Sequence, residues 1–293
     1  LAALGRNPAP RQVRFTTWTL RYNQMHWVTV EALGKHWERA RIEAEIVDAS
    51  TVNVKTENVA ALTLAIPAGL CPLDNTRRPA VRIDGADLEG APVLSDRSWT
   101  AHFRKRAGRW AAVASVEEAG LRKRHGLQGP IDDAFMDSFI FVRPTGQPLN
   151  EKVGGWVAAE LQKASAEWRA QFRGEVRIKS DTEITDADIA ASNLILWGDP
   201  ASNQILGKIA AKLPLPWDKQ TVKLGSKGFP ASHCLPVLIY PNPLNPERYI
   251  VLNSGFTFAR PKSSSNADQT PKLPDYAVVN VDAPPTVAVA GEV

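Results

Sequence analysis

Two short segments of this chain place charged, hydroxyl and amide residues at the point where an apolar run ends. Asn193 to Trp197 is followed by Gly198-Asp199-Pro200-Ala201-Ser202-Asn203, and Ser138 to Val142 is followed by Arg143-Pro144-Thr145-Gly146. A carboxylate, hydroxyls, an amide and a guanidinium together offer hydrogen bonds to a polar or anionic ligand. The candidate ligand-binding residues are therefore Arg143, Thr145, Asp199, Ser202 and Asn203.

An amphipathic helical pattern follows each segment, so the sequence predicts two strand–loop–helix units. In parallel α/β sheets, ligands bind outside the carboxyl ends of the strands, which here means these two loops. The amino end of a helix also offers unbonded N–H groups to an anion. The same residues have a purely structural interpretation, because Asp199 and Ser202 are common N-cap residues and Pro200 fits a first helical turn.

Other chemistry is weakly indicated. The acidic group Asp132, Asp133 and Asp137 offers oxygen ligands but matches no calcium-loop spacing, so a solvated loop is the favoured interpretation. His233 and Cys234 suggest a base and a nucleophile, yet neighbours in an extended segment point to opposite faces. The five histidines share no metal-ligand spacing. A Gly-x-Ser-x-Gly motif, a P-loop and a dinucleotide fingerprint are absent from the sequence. We therefore predict no catalytic residues, no metal and no cofactor.

The elements around these loops predict an α+β chain overall: a β-sandwich-like domain followed by a Rossmann-like α/β domain with a mainly parallel sheet. Short β-rich runs occupy residues 11–125, and a short helix is predicted at about 117–124. Residues 126–258 contain the strand–loop–helix units. From 259 to 293 the composition becomes polar and proline-punctuated, which predicts an extended tail.

A long helix is predicted at about 151–172. Val153, Val157, Leu161, Ala164, Trp168 and Phe172 recur at spacings of three and four, which is the helical period. This stripe predicts that Trp168 is buried against the sheet.

Composition narrows the class of protein. There are 35 Lys and Arg against 31 Asp and Glu, a net charge of only +4, and the basic residues are mostly interspersed with acidic ones. We predict no nucleic-acid binding, although Arg104-Lys105-Arg106 and Arg122-Lys123-Arg124 are dense basic runs. No apolar run reaches the length of a transmembrane helix. The chain begins with Leu1 rather than Met, so we expect a processed product or a fragment.

Four aromatic residues near the amino end have two interpretations. Trp18, Tyr22, Trp27 and Trp37 would stack on sugar rings if they are exposed, or form the core of the β domain if they are buried. Exposure of these side chains would therefore distinguish a glycan-binding module from other functions.

Several segments together resemble one family. They are Phe15-Thr16-Thr17-Trp18-Thr19-Leu20-Arg21-Tyr22-Asn23 with Trp27-Val28, Gly129-Pro130-Ile131-Asp132-Asp133-Ala134-Phe135 with Phe139-Ile140-Phe141-Val142, Asn193-Leu194-Ile195-Leu196-Trp197-Gly198-Asp199-Pro200, and Pro271-Lys272-Leu273-Pro274-Asp275-Tyr276-Ala277-Val278. They resemble the carboxyl-terminal region of large bacterial prolyl-oligopeptidase-like or esterase-like α/β-hydrolases. In that family the Ser–His–Asp domain precedes this region, so no catalytic residue carries over.

The resemblance implies a non-catalytic accessory region of an exported bacterial serine hydrolase, a peptidase or an esterase, located in the periplasm or secreted. Its implied partner is the amino-terminal α/β-hydrolase domain or chain, and a homo-oligomer is a further expectation. The alternative function is a free-standing binding module for a surface polymer such as glycan. A small-molecule enzyme using the crevice between Arg143 and Asp199 is disfavoured, because no general base is placed there.

Overall fold

The computed structural model describes residues 7–117, 120–257 and 273–282. The chain is mostly β, with 39% strand and 17% helix. It divides into two compact units, residues 1–128 and 129–293. Among the described residues, no helix combines the length and the apolar character needed to cross a membrane.

The first unit consists of two five-stranded sheets around one core. Their orders are β1-β4-β5-β7-β8, which contains one parallel pair (β5 with β7), and β10-β9-β6-β3-β2, which is antiparallel throughout. Inward side chains of both sheets, such as Ile42, Val52, Leu62 and Phe103, belong to the same buried cluster. The strands are β1 (Gln12–Thr17), β2 (Gln24–Met25), β3 (Val28–Leu33), β4 (Ala40–Ile46), β5 (Thr51–Glu57), β6 (Val59–Ile66), β7 (Ala80–Ile83), β8 (Ala86–Glu89), β9 (Trp99–Arg106) and β10 (Arg109–Val113).

Strand β5 lies within the stretch predicted to be β-rich, 11–125, but its apolar pattern is weak. Only Val52 and Val54 of β5 are buried, because its other side chains face away from the core. The short helix predicted at 117–124 is not observed: residue 117 and residues 120–124 are not helical, and 118–119 lie outside the described residues.

A single carboxylate connects the two sheets. Asp84 lies in the β7–β8 turn with φ 50°. It accepts hydrogen bonds from the N–H and the hydroxyl of Thr56 (both 2.7 Å) in one sheet and from the Trp110 indole (2.8 Å) in the other. The Lys105 ammonium lies 3.7 Å from this carboxylate. Burial raises the pKa of Asp84, but the hydrogen bonds from Thr56 and Trp110 outweigh it, so the pKa lies below its usual value.

The second unit is built on a six-stranded sheet of order β12-β11-β13-β17-β16-β18, with a separate β14–β15 hairpin. Its strands are β11 (Phe139–Arg143), β12 (Ile178–Ser180), β13 (Asn193–Leu196), β14 (Thr221–Leu224), β15 (Lys227–Pro230), β16 (Cys234–Asn242), β17 (Asn245–Leu252) and β18 (Tyr276–Asn280). Its helices are α1 (Glu151–Phe172), α2 (Asp186–Ala191) and α3 (Gln204–Ile209), with 3-10 turns at Ile131–Phe135 and Ala210–Lys212.

The predicted α+β chain with a Rossmann-like, mainly parallel domain is wrong, because the chain is mostly β and this sheet is mixed. Strands β12, β11, β13 and β17 run parallel, whereas β16 pairs antiparallel with both β17 and β18. Only two residues separate β16 from β17. A parallel crossover needs a dozen or more residues, so this short connection forces an antiparallel hairpin. The edge strand β18 falls inside the segment predicted as a tail, 259–293; residues 258–272 and 283–293 lie outside the described residues.

Helix α1 has the predicted bounds. Val153, Val157, Leu161 and Ala164 of its apolar stripe are buried. Trp168 is only partly buried, and its ring contacts those of Phe139 and Phe172 at centroid distances of 4.7 and 4.2 Å. The stripe therefore indicates the face of α1 correctly but overstates the burial of its last turn, where Phe172 is exposed.

The two short helices and the edge strand β12 are fixed by local hydrogen bonds. Thr185 and Asp188 form a capping box at the start of α2. At the end of β12, the Ser180 N–H and hydroxyl both donate to the Glu183 carboxylate (2.8 and 2.6 Å), and the Ser180 carbonyl accepts from the Glu183 N–H. These bonds occupy the backbone of the last residue of the edge strand.

We expect Asp84 to make the stability of the first unit sensitive to acid. A carboxyl whose pKa is lowered on folding stabilises the protein above its unfolded pKa, near 3.8, and loses that contribution as the pH falls through the folded pKa. Asp84→Asn should therefore cost about 1–3 kcal/mol at pH 7, with the difference narrowing below about pH 4. Urea unfolding at pH 7 and pH 3 measures this. Asp87→Asn, at an exposed ion pair on the same hairpin, should change little, and an equal effect of both variants would contradict the role of Asp84.

Adjacent glycines in α1 should respond oppositely to alanine. A Cβ at Gly154 would lie 2.6 Å from Cγ of Pro148, whereas a Cβ at Gly155 meets nothing within 4 Å. Gly155→Ala should raise the free energy of unfolding by about 0.5–1 kcal/mol through helix propensity. Gly154→Ala should lower it by about 1–3 kcal/mol through overpacking. Denaturant unfolding of the two variants tests this, and stabilisation by Gly154→Ala would disprove the contact with Pro148.

Candidate functional site

The two loops predicted as a site do meet. Strands β11 and β13 are parallel neighbours, so their carboxyl ends lie at the same edge of the sheet. The Gly146 N–H donates to the Ser202 carbonyl at 2.8 Å. A Cβ at residue 146 would lie 2.8 Å from the Ala201 carbonyl oxygen, so this close approach requires glycine.

Asp199 organises these loops through backbone bonds. Its buried carboxylate accepts from the N–H groups of Ala201 and Ser202, both at 2.9 Å, and from that of Leu149 at 2.8 Å. The Ser202 hydroxyl in turn accepts from the Asp199 N–H at 2.9 Å. The hydrogen-bonding groups of both side chains are thus used to shape the loop and to hold the residues before α1.

Asn203, rather than Asp199 or Ser202, caps α3. Its side-chain oxygen accepts from the N–H groups of Ile205 and Leu206, and its amide nitrogen donates to the carbonyls of Trp197 and Val142. Asn203 is fully buried. The helix therefore begins later than the sequence suggests, and Asn203 links its start to the ends of β11 and β13.

Arg143 and Thr145 are both exposed. The Arg143 carbonyl accepts from the Asp181 N–H at 2.9 Å, which extends the contact to β12. Hydrogen bonds from Ser180 lower the pKa of Glu183, and the positive charge of Arg143 adds to that effect. Arg143 is also one of the residues that line a cleft, whereas Thr145 is not.

This cleft lies between the first turns of α1 and the ends of β11, β12 and β13, with a volume of about 830 Å³. That volume is typical of sites for small organic ligands. Its walls are mainly apolar, including Pro144, Pro148, Val157, Leu161 and Ile178. Polar groups at the cleft belong to Arg143, Gln147, Glu151, Gln162, Ser165, Asp199 and Ser202.

Loop residues alone do not predict this cleft. Half of its lining residues belong to α1. The position of this helix depends on the bond between Leu149 and Asp199 and on the contact of Pro148 with Gly154. The sequence does carry one signal, the pair Gly154-Gly155 inside an otherwise regular helical pattern, since glycine within a helix often marks a close approach or an open space.

The three acidic residues before β11 have separate partners. Asp132 accepts from the N–H and hydroxyl of Thr257, Asp133 accepts from the Tyr249 hydroxyl at 2.8 Å, and Asp137 pairs with Arg248 at 2.7 Å. Burial, together with the negative charge of Asp133, raises the pKa of Tyr249 well above its usual value. Among the described residues, no group of three or more His, Cys, Asp and Glu side chains could hold a metal ion.

Neither cysteine forms a nucleophile–base pair with His233. Cys71 and Cys234 are both buried, and neither forms a disulfide bond. Burial raises the pKa of the Cys71 thiol. His233 contacts the neighbouring Ser232 hydroxyl through Nδ1 at 3.0 Å, on an exposed turn.

The basic run at 104–106 is largely engaged within the protein. Arg104 is buried, and its guanidinium donates to the Val116 carbonyl. Lys105 lies over the Trp110 ring, 4.9 Å from its centre, beside Asp84.

The four aromatic residues near the amino end separate into two groups. Trp27 is buried, and its indole N–H donates to the Pro10 carbonyl at 2.7 Å. Trp18, Tyr22 and Trp37 are exposed by 49%, 72% and 48%. The interpretation of these residues as core holds for Trp27 alone.

Comparison with known proteins gives no relative from which a role for either group of residues could be transferred. No model of a known protein family, no curated protein and no solved structure matches this chain.

Proposed function

We propose that this chain is a non-catalytic accessory region of an exported bacterial serine hydrolase, and that its cleft holds part of a substrate or ligand. The observation that carries the binding role is the apolar cleft of about 830 Å³ at the carboxyl ends of the parallel strands. The resemblance to prolyl-oligopeptidase-like and esterase-like proteins supports the partner, an amino-terminal α/β-hydrolase domain, and the extracytoplasmic location.

The walls of the cleft select an amphipathic ligand. An apolar group would contact Pro144, Val157 and Leu161 of the cleft. Arg143 also lines the cleft, and its guanidinium is suited to a carboxylate or another anionic group. A peptide with an apolar side chain or an ester with an acyl chain has this combination. Both are substrate classes of the hydrolases that the sequence resembles.

The polar groups of the cleft favour binding over conversion. The carboxylate of Asp199 and the hydroxyl of Ser202 are occupied by backbone groups of their own loop. No histidine is among the described residues that line the cleft. A serine nucleophile needs an adjacent base, so the wall lacks the pair that acyl transfer requires.

Filling the cleft should abolish binding of an amphipathic probe. Ala158 of α1 lines the cleft and is exposed, so an indole placed there enters the cleft without disturbing the core. Ala158→Trp should weaken binding of the anionic dye anilinonaphthalene sulfonate by about tenfold or more, a loss of about 1.4 kcal/mol, as measured by fluorescence titration. The matched control is Ala159→Trp, since Ala159 is also exposed on α1 but does not line the cleft. Equal affinity of the two variants would disprove this site.

The chain should not react with a fluorophosphonate serine probe, because such probes label only activated serines. A serine hydrolase of known activity in the same mixture serves as the positive control, and labelling is followed by intact-protein mass spectrometry. Stoichiometric labelling of any serine of this chain would contradict the non-catalytic role.

A further inference from the structure

We propose that Trp18, Tyr22 and Trp37 bind a neutral glycan; we call these three residues the aromatic platform. The site lies in the first unit and is independent of the cleft in the second. Each side chain exposes about half or more of its surface, although large aromatic residues are normally among the most buried of side chains. Three exposed aromatic residues on two segments that are hydrogen-bonded to each other therefore indicate a binding role.

The aromatic platform takes no part in the aromatic clusters of the described residues. None of the ring–ring contacts found there involves Trp18, Tyr22 or Trp37. The exposed half or more of each side chain is the part that a ligand can contact. The C–H face of a pyranose ring is apolar and flat, so it stacks on an aromatic ring, while the sugar hydroxyls at its edge remain bonded to water or to polar side chains.

The segment that carries Trp18 is held rigid by hydroxyl groups. The Thr17 hydroxyl donates to the Thr19 carbonyl at 2.8 Å and accepts from the Thr19 N–H. The Thr19 hydroxyl then accepts from the Arg21 N–H at the start of the 3-10 turn Leu20–Tyr22. Trp18 and Tyr22 therefore project from a preformed turn, which reduces the entropy lost when a ligand binds.

The segment that carries Trp37 is held by Asn58. The Asn58 side-chain oxygen accepts from the Lys35 N–H at 2.7 Å, and its amide nitrogen donates to the carbonyls of Lys35 and Glu38. The Trp37 N–H donates to the Trp18 carbonyl at 3.1 Å. This last bond joins the backbones of the two tryptophan-bearing segments, so the starting points of both side chains are held together.

The backbone of Trp37 is also strained. Its φ of 64° lies in the left-handed region, which bulky residues rarely adopt. No core packing compensates, because the side chain is half exposed. Strain of this kind concentrates at ligand-binding sites, where the surrounding structure imposes it.

The charges beside the platform favour an uncharged ligand. Lys35 pairs with Glu38 at 3.2 Å, and Arg39 pairs with Glu57 at 2.8 Å. Each of these two pairs is neutral overall, so neither pair attracts nucleic acid or an anionic membrane. A stable protein interface needs a continuous apolar centre of several hundred Å². Charged pairs flank Trp37 instead, and this arrangement suits a ligand that has apolar faces and hydroxyls in every unit.

The test is affinity electrophoresis of the whole chain in gels that contain soluble cellulose derivative, xylan, galactomannan or mixed-linkage glucan. We expect retardation by at least one of these polysaccharides, unchanged up to about 0.5 M salt because no ion pairs form. Trp18→Ala and Trp37→Ala should each weaken binding by about tenfold, the loss of one stacked ring. The control is Tyr276→Ala, an exposed aromatic residue of β18, which should bind like the parent chain.

Two variants separate binding from folding. Trp37→Gly removes the ring and relieves the left-handed strain, so it should lose binding while its thermal midpoint stays equal or rises. Asn58→Gly keeps the backbone freedom needed at the φ of 55° but removes the three clamping bonds. It should weaken binding several-fold with both tryptophans intact.

Three outcomes would overturn the proposal. They are the absence of retardation by every polysaccharide, retardation that Trp18→Ala and Trp37→Ala leave unchanged, and retardation that salt abolishes. Self-association in sedimentation that Trp37→Ala removes, without any glycan binding, would also overturn it and assign the surface to a second copy of the chain.

Discussion

The architecture of the second unit depends on one buried carboxylate that accepts hydrogen bonds only from backbone. Asp199 lies three residues after the end of β13, and through its bond to the Leu149 N–H it fixes the chain just before α1. A buried carboxylate without such donors would be strongly destabilising, so the three N–H groups and the carboxylate require one another. The consequence extends to the cleft, because its two walls are the helix on one side and the loops around Asp199 on the other.

The sequence predicts those parts of the fold in which a periodic pattern decides the structure. The stripe from Val153 to Ala164 predicts α1 because a helix buries one face at a period near 3.6. The start of α2 is likewise decided locally, by the capping box of Thr185 and Asp188. Hydrophobic patterns do not predict the direction of a strand. The runs Cys234–Asn242 and Asn245–Leu252 are apolar enough for either orientation, and only the length of their connection makes them an antiparallel hairpin. The mixed sheet follows from that connection rather than from hydrophobicity.

For the candidate sites, too, the sequence predicts some features and not others. Residue types after β11 and β13 correctly indicate where the two loops meet, because parallel neighbours bring their carboxyl ends together. They do not reveal that Asp199 and Asn203 serve the backbone, since ligand-binding and capping side chains are chemically identical. Nor does composition distinguish Trp27 in the core from Trp18 at the surface. That difference arises from register: Trp27 follows β2 and enters the core beside Pro10, whereas Trp18 lies beyond the end of β1.

The end of β12 has a consequence for how this protein behaves among other chains. An edge strand normally presents unpaired N–H and carbonyl groups that invite another strand to add to the sheet. Here the Glu183 carboxylate and N–H occupy the N–H and carbonyl of Ser180, the last residue of the strand. A three-residue strand blocked at one end offers too short a ladder for an incoming β-segment. The side chain of Glu183, three residues after the end of β12, thus protects this edge against aggregation and domain swapping.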